Sequence, residues 1–207
     1  MRTSIYIDGF NLYYGALKDR GAGFRWLDLG QFCRQLLPAK NSIVRIRYFT
    51  APVSQRNTAD LGPVHQQTYL RALATVPNLS IHLGRFLVKS TRMWNANPPP
   101  NTVEVIKTEE KGSDVNLATY LLRDGFKDEY DVAIVISNDS DLTAPIRILR
   151  QEFGKDVGVC SPYSKASFEL KNEANFVWPI RAIKVQTSQF PATLTDSTGT
   201  ISKPVGW

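Results

Sequence analysis

Sulfur and imidazole are scarce in this chain of 207 residues: two cysteines, Cys33 and Cys160, and two histidines, His65 and His82. The cysteines lie far apart with no CxxC spacing, which excludes a disulfide scaffold and a Cys/His zinc site. Long apolar runs are also missing. The longest, 132–136, falls far short of the roughly 18 residues that cross a bilayer. No signal peptide is read either, since Met1-Arg2-Thr3-Ser4 leads only into Ile5-Tyr6-Ile7, so a cytoplasmic location is expected. No GxxxxGK[ST] phosphate loop occurs. With 43% hydrophobic and 21% charged residues, the composition is that of a folded domain rather than a disordered or fibrous chain.

What the chain does have is an uneven distribution of charge. The total is +6, but residues 1–103 carry +9 and residues 104–207 carry −3. A basic half beside a mildly acidic one suits a polyanion binder with a cation-binding centre. With so few sulfur and nitrogen ligands, catalysis would have to rest on carboxylates.

Apolar alternation predicts strands over 3–7, 43–50, 79–89, 131–137 and 156–160, and helical spacing predicts helices over 12–18, 27–37, 63–76, 115–126 and 142–153. Residues 90–101, with Arg92, Trp94 and three consecutive prolines, read as a loop closing a hairpin with 102–108. Such alternation predicts an α/β fold with a mainly parallel sheet covered on both faces. Residues 1–185 are expected to form one domain, followed by a C-terminal tail over 186–207 where apolar periodicity fades.

Acids gather at element ends. An apolar strand runs straight into Asp8, and a second ends in Asp139 and Asp141. Open parallel sheets bind ligands beyond the carboxyl ends of their strands. Asp8-Gly9 also reads as a turn, and Asp141 as the N-cap of the next helix, begun early because Pro145 fits only a first turn. Ser113 or Asp114 would cap the helix after 112, but Asp114 shares the apolar stripe of Leu117, Ala118 and Leu121, which aims its carboxylate at the sheet. If the strands bearing Asp8 and Asp139 are neighbours, all four acids converge. Two carboxylates ~4 Å apart repel by about 4 kcal/mol at an effective dielectric near 20. Mg²⁺ or Mn²⁺, hard ions suited to oxygen ligands, would relieve this, and a pair of such ions serves phosphodiester cleavage.

Three segments, Asp8-Gly9-Phe10-Asn11-Leu12-Tyr13, Glu110-Lys111-Gly112-Ser113-Asp114-Val115 and Ser137-Asn138-Asp139-Ser140-Asp141-Leu142, resemble in order the signatures of the NYN domain, in its LabA-like branch, within the PIN-like nuclease superfamily. The resemblance covers about residues 3–180. It implies a Rossmannoid three-layer sandwich with strand order 3-2-1-4-5, and a ribonuclease using Mg²⁺ or Mn²⁺. Asp8, Asp114, Asp139 and Asp141 match the family's acidic, metal-holding positions. Asp8, Asp139 and Asp141 would share one ion, with Asp114 holding a second ion or its water. Asn11 matches the residue that orients the first acid or the substrate, Ser137 the hydroxyl beside the third segment, and Lys111 a basic position for phosphate. Asn138 stands where many relatives carry Gly. Arg85, Lys89, Arg92 and Trp94 would supply backbone contacts and stacking to RNA. The resemblance allows RNA and, in a homodimer, a second copy as partners, and no membrane.

Two rival readings arise. Asp139-Ser140-Asp141-Leu142-Thr143 fits the DxDx[TV] nucleophile motif of haloacid-dehalogenase-type phosphatases, but this leaves Asp8 and Asn11 without a role. The fold could also serve as a non-catalytic RNA-binding or regulatory module, against which stands the full set of acids.

Overall fold

The computed structural model describes residues 1–21, 23–55 and 57–207. Strand β1 (Arg2–Asp8) lies inside a six-stranded sheet, between β2 (Ser42–Thr50) and β6 (Val132–Ile136). Beyond β2 lies β3 (Leu79–Leu83); beyond β6 come β7 (Asp156–Ser161) and β8 (Phe176–Pro179). Every pairing in this sheet is parallel, in the order β3-β2-β1-β6-β7-β8. The sheet therefore has one strand more than the five expected. Phe-Val-Trp-Pro is too short to show a period, which hides β8 in the sequence.

The parallel sheet is packed on both faces, as its unbroken apolar strands require. Ile5 and Ile7 face one core, with α2 (Leu29–Leu36) and α3 (Gly62–Ala74). Tyr6 faces the other, with α4 (Ser113–Phe126), α5 (Thr143–Gln151) and α6 (Phe168–Glu173). A short α1 (Gly9–Leu12) runs directly into a π-helical turn, Tyr13–Leu17, where an ordinary helix was expected.

The stretch read as one strand over 79–89 is two elements. β3 ends at Leu83, and β4 (Arg85–Trp94) leaves the sheet to pair with β5 (Thr102–Lys111). Gly84 sits at the branch. A Cβ there would stand 2.4 Å from Glu110 Oε1 and 2.7 Å from the Lys111 carbonyl oxygen, so only glycine lets the two arms approach this closely. Residues 90–94, expected in a loop, continue β4, because the ladder to Thr102–Ile106 pairs their backbone. The turn is 95–101, closed by Asn95 N–H donating to the Asn101 carbonyl.

Residues 186–207, the expected tail where apolar periodicity fades, are folded onto the α2 face. After α7 (Ala182–Gln186), β9 (Thr193–Asp196) and β10 (Gly199–Ser202) form a hairpin that buries Ile201, and Asp196 accepts from the Thr198 N–H at its turn. Trp207 packs on Trp26 and Tyr69, and its indole donates to His65 Nδ1 at 3.2 Å. A Ser/Thr-rich segment can hide a strand pair when a few well-spaced apolar residues suffice to dock it.

One buried carboxylate belongs to the frame. Asp124 on α4 is fully buried and accepts from Tyr6 Oη at 2.9 Å, Arg47 Nε at 2.8 Å and Arg123 Nη1 at 2.9 Å. Burial pushes its pKa up, but hydrogen bonds from Arg47 and Tyr6 outweigh this and hold the carboxyl below the usual range. Arg47 in turn lies over the Tyr120 ring at 4.4 Å and contacts His82 Nε2 at 3.0 Å.

Candidate functional site

The condition for convergence is met. β1 and β6 are paired with Ile7 opposite Ile136, so Asp8 and Ser137 leave the sheet side by side at its carboxyl edge. Asp8 is buried and caps α1: Oδ1 accepts from Asn11 N at 2.9 Å, and Oδ2 accepts from Asn11 Nδ2 at 2.7 Å and Ser137 Oγ at 2.9 Å. Burial raises its pKa against the lowering effect of these donors, and Asp139 adds to the rise. Asn11 completes the link, its Oδ1 accepting from the Asn138 N–H at 3.2 Å.

In the third segment Asp139, not Asp141, is the cap. Its Oδ1 accepts from Asp141 N at 3.0 Å and opens a 3₁₀ turn, Ser140–Leu142, ahead of α5. Two acids one residue apart leave room for this tighter turn before Pro145 enters the helix. In the second segment neither Ser113 nor Asp114 caps α4. Glu110 does so from β5, accepting from Ser113 N at 3.1 Å and Ser113 Oγ at 2.8 Å. Asp114 is exposed, while repulsion from Asp8, Asp139 and Asp141 shows its carboxylate facing the same crevice. Its pKa is nonetheless raised to about 6, first by partial burial and then by repulsion from Asp8, Asp139, Glu110 and Asp141.

Among the described residues, no Lys or Arg forms an ion pair with Asp8, Asp114, Asp139 or Asp141. The donor set is thus oxygen-only and electrically uncompensated, which fits a hard divalent cation. The expected cage of three carboxylates around one ion is not formed: among the described residues, no three acidic, histidine or cysteine side chains stand close enough to share a metal. Asp8 is held by its three donors within the buried edge, and Asp114 is exposed. Mg²⁺ is commonly held by one or two carboxylates, with water and substrate phosphate supplying the rest.

The residues expected to contact RNA do not share one surface. Strand neighbours point to opposite faces, so the pairs Arg85/Lys111 and Lys89/Lys107 form a basic row on one face of the β4–β5 hairpin, whereas Arg92 and Trp94 lie on the other. Glu109 sits within the basic row, held down to about 2 by hydrogen bonds from Lys107 and Lys111. Trp94 is 82% exposed. Its face is the one whose root meets α1, through an edge-to-face contact of Phe86 with Phe10 at 5.7 Å.

Two residues matter more than the sequence suggested. Glu110 fixes the start of α4, and Asn138 ties the crevice to the loop after β7, its Oδ1 accepting from Ser167 N at 2.8 Å and Ser161 Oγ at 3.2 Å and its Nδ2 donating to the Lys165 carbonyl at 3.3 Å. That loop brings Tyr163 and Lys165 to the carboxyl edge. Only the adjacency of Glu110 and Asn138 to the acidic segments could have flagged them.

The NYN domain model matches residues 2–180. The chain belongs to the NYN domain family. NYN domains are PIN-like and generally hydrolytic nucleases that act on RNA. The NYN chain is also similar to 6-hydroxy-3-succinoylpyridine 3-monooxygenase HspA of Pseudomonas putida (strain DSM 28022 / S16), 31% identical over 190 residues, covering 79% of this chain and 60% of that protein. It therefore spans about three fifths of that relative's length. A solved protein of unknown function, VPA0982 from Vibrio parahaemolyticus RIMD 2210633, superposes with a TM-score of 0.56 at 18% identity, covering 87% of this chain and 93% of that one, and shares the fold. Among the described residues, no helix is long and apolar enough to cross a membrane.

Proposed function

We propose that this NYN domain is a metal-dependent ribonuclease whose centre is the carboxylate set Asp8, Asp114, Asp139 and Asp141. The observation that carries the reading is their convergence at the carboxyl edge of a parallel sheet without a cation of the protein's own. One or two of these carboxylates at a time would hold Mg²⁺ or Mn²⁺, with water and RNA phosphate completing the shell. A bound ion supplies Lewis-acid activation of water and neutralises charge at the phosphate.

The chain's own residues do the positioning. Asn11 and Ser137 fix the Asp8 carboxylate through three hydrogen bonds, and Ser137 Oγ also accepts from Asp139 N at 3.1 Å, locking the two acids together. The row Arg85, Lys89, Lys107 and Lys111 would track the RNA backbone, while Trp94 with Arg92 offers a stacking surface on the opposite face. Wild type and Asp139→Asn would be compared on a panel of labelled RNAs, each with Mn²⁺ and with EDTA. Cleavage is expected only for wild type with metal; cleavage that survives both changes contradicts the assignment.

The relative HspA supports a second reading, oxygenation of a hydroxypyridine. Loss of 6-hydroxy-3-succinoylpyridine in the presence of oxygen and a reductant, with the RNA panel intact, would favour it.

A further inference from the structure

A cavity of about 640 Å³ opens on the α2 face of the sheet, towards the amino ends of the strands and so away from the acidic crevice. Its floor is Val132 and Ile134 of β6, and one wall is the end of α2 at Leu36 and Leu37. The other wall is aromatic. Phe176 and Trp178, two apart on β8, are stacked with ring centroids 5.7 Å apart and planes 27° apart. Gly158 on the neighbouring strand makes this possible, since a Cβ there would stand 2.2 Å from Phe176 Cε2. Phe176 is nonetheless 41% exposed, a large ring held in place without being covered.

Polar groups are few and mostly of one sign. Lys40, Arg181 and Lys184 line the cavity against a single acid, Asp156. Among the described residues none of these four takes part in an ion pair. Lys184 is steadied by donating to the Gln35 carbonyl at 2.7 Å, which leaves its remaining donors for a ligand. The volume lies within the range of small-molecule sites, and apolar walls with a few placed polar groups are their usual make-up.

We propose that this cavity binds an aromatic organic anion: a flat ring lying against Phe176 and Trp178, with its carboxylate or sulfonate directed to Arg181, Lys184 and Lys40. An inorganic anion would leave the apolar walls unused, and a neutral ring would leave the cations unused. The stacked pair favours a planar ligand over an alkyl chain. The assignment is independent of the ribonuclease reading, since the cavity shares no lining residue with the acidic crevice.

The test uses 1-anilinonaphthalene-8-sulfonate as a fluorescent probe and the uncharged N-phenyl-1-naphthylamine as its counterpart, with the four tryptophan indole signals followed by NMR. The expected result is saturable binding of one equivalent of the sulfonate, with a shift of the Trp178 signal and none at Trp94. Affinity should fall about tenfold or more in Arg181→Glu/Lys40→Glu, whereas the uncharged probe should bind more weakly and ignore the substitutions. Both positions are exposed, and Arg181→Gln with a smaller loss in the same direction provides a second reading. No saturation up to about 1 mM, equal affinity in the variants, or a shift at Trp94 instead of Trp178 would overturn the proposal.

Discussion

Asp124 and the crevice acids are the same chemical group in opposite circumstances. Asp124 is wholly enclosed, yet Arg47, Arg123 and Tyr6 supply every hydrogen bond it needs, and its pKa falls. Asp8 is nearly as buried, but its partners are neutral donors, its nearest charges are other carboxylates, and its pKa rises. A buried acid neutralised from within is part of the frame. A buried acid left uncompensated is one that a proton or a cation from outside would neutralise.

The largest expected effect breaks the frame. Asp124→Ala strands Arg47 in the core and should cost about 3–5 kcal/mol, read by denaturant unfolding. Asp139→Asn in EDTA should by contrast leave stability within about 1 kcal/mol of wild type or raise it, because it removes repulsion. A comparable loss in both variants would erase the distinction.

Ser137→Ala sits between these extremes. The buried hydroxyl donates to Asp8 and accepts from Asp139 N, so its loss should cost about 1–3 kcal/mol and lower RNA cleavage as Asp8 loses its orientation.

The two kinds of acid should also respond oppositely to pH. Asp114 titrates near 6 in the folded state, above its ordinary 3.8. Its contribution to stability is present below 3.8 and lost as pH rises through about 6, so in EDTA the wild-type unfolding temperature should fall across that window and Asp114→Asn should flatten the fall. Asp124, with its pKa lowered, contributes above the unfolded value and loses this as pH falls below it, so in Asp124→Asn the acid-side loss should shrink.

The smallest effect concerns the hairpin. Lys89→Ala/Lys107→Ala should leave stability almost unchanged, as exposed ion pairs contribute little, while the salt dependence of RNA binding becomes shallower by about 0.7 for each phosphate no longer neutralised.

Much of this contrast was legible in the sequence. Strands that end in Asp8 and Asp139 advertise themselves by an apolar run followed by acids, and a parallel sheet brings such ends together. The three acidic segments therefore pointed to one crevice. Less legible was which acid caps which turn: Asp139 rather than Asp141, and Glu110 in place of Ser113 or Asp114. Glu110 stands only three residues before Ser113, but glutamate is not among the favoured cap residues, so residue preference pointed to Ser113 and Asp114 instead. The split of Arg85 and Lys89 from Arg92 and Trp94 depended on β4 continuing to Trp94, which a proline-rich neighbourhood obscured. Asp124 was invisible as a buried acid because its partners, Tyr6, Arg47 and Arg123, lie on three different elements.

We propose that the crevice, which lacks a counter-charge, takes one from a divalent cation. This is tested most directly by thermal unfolding at neutral pH with and without Mn²⁺ in wild type, Asp139→Asn and Asp124→Asn. At about 100 times the dissociation constant a bound ion contributes ~2.7 kcal/mol, enough to raise the unfolding temperature by several degrees. That rise is expected in wild type, should persist on the lower baseline of Asp124→Asn, and should be lost in Asp139→Asn. An equal rise in wild type and Asp139→Asn, or none in wild type, would contradict it.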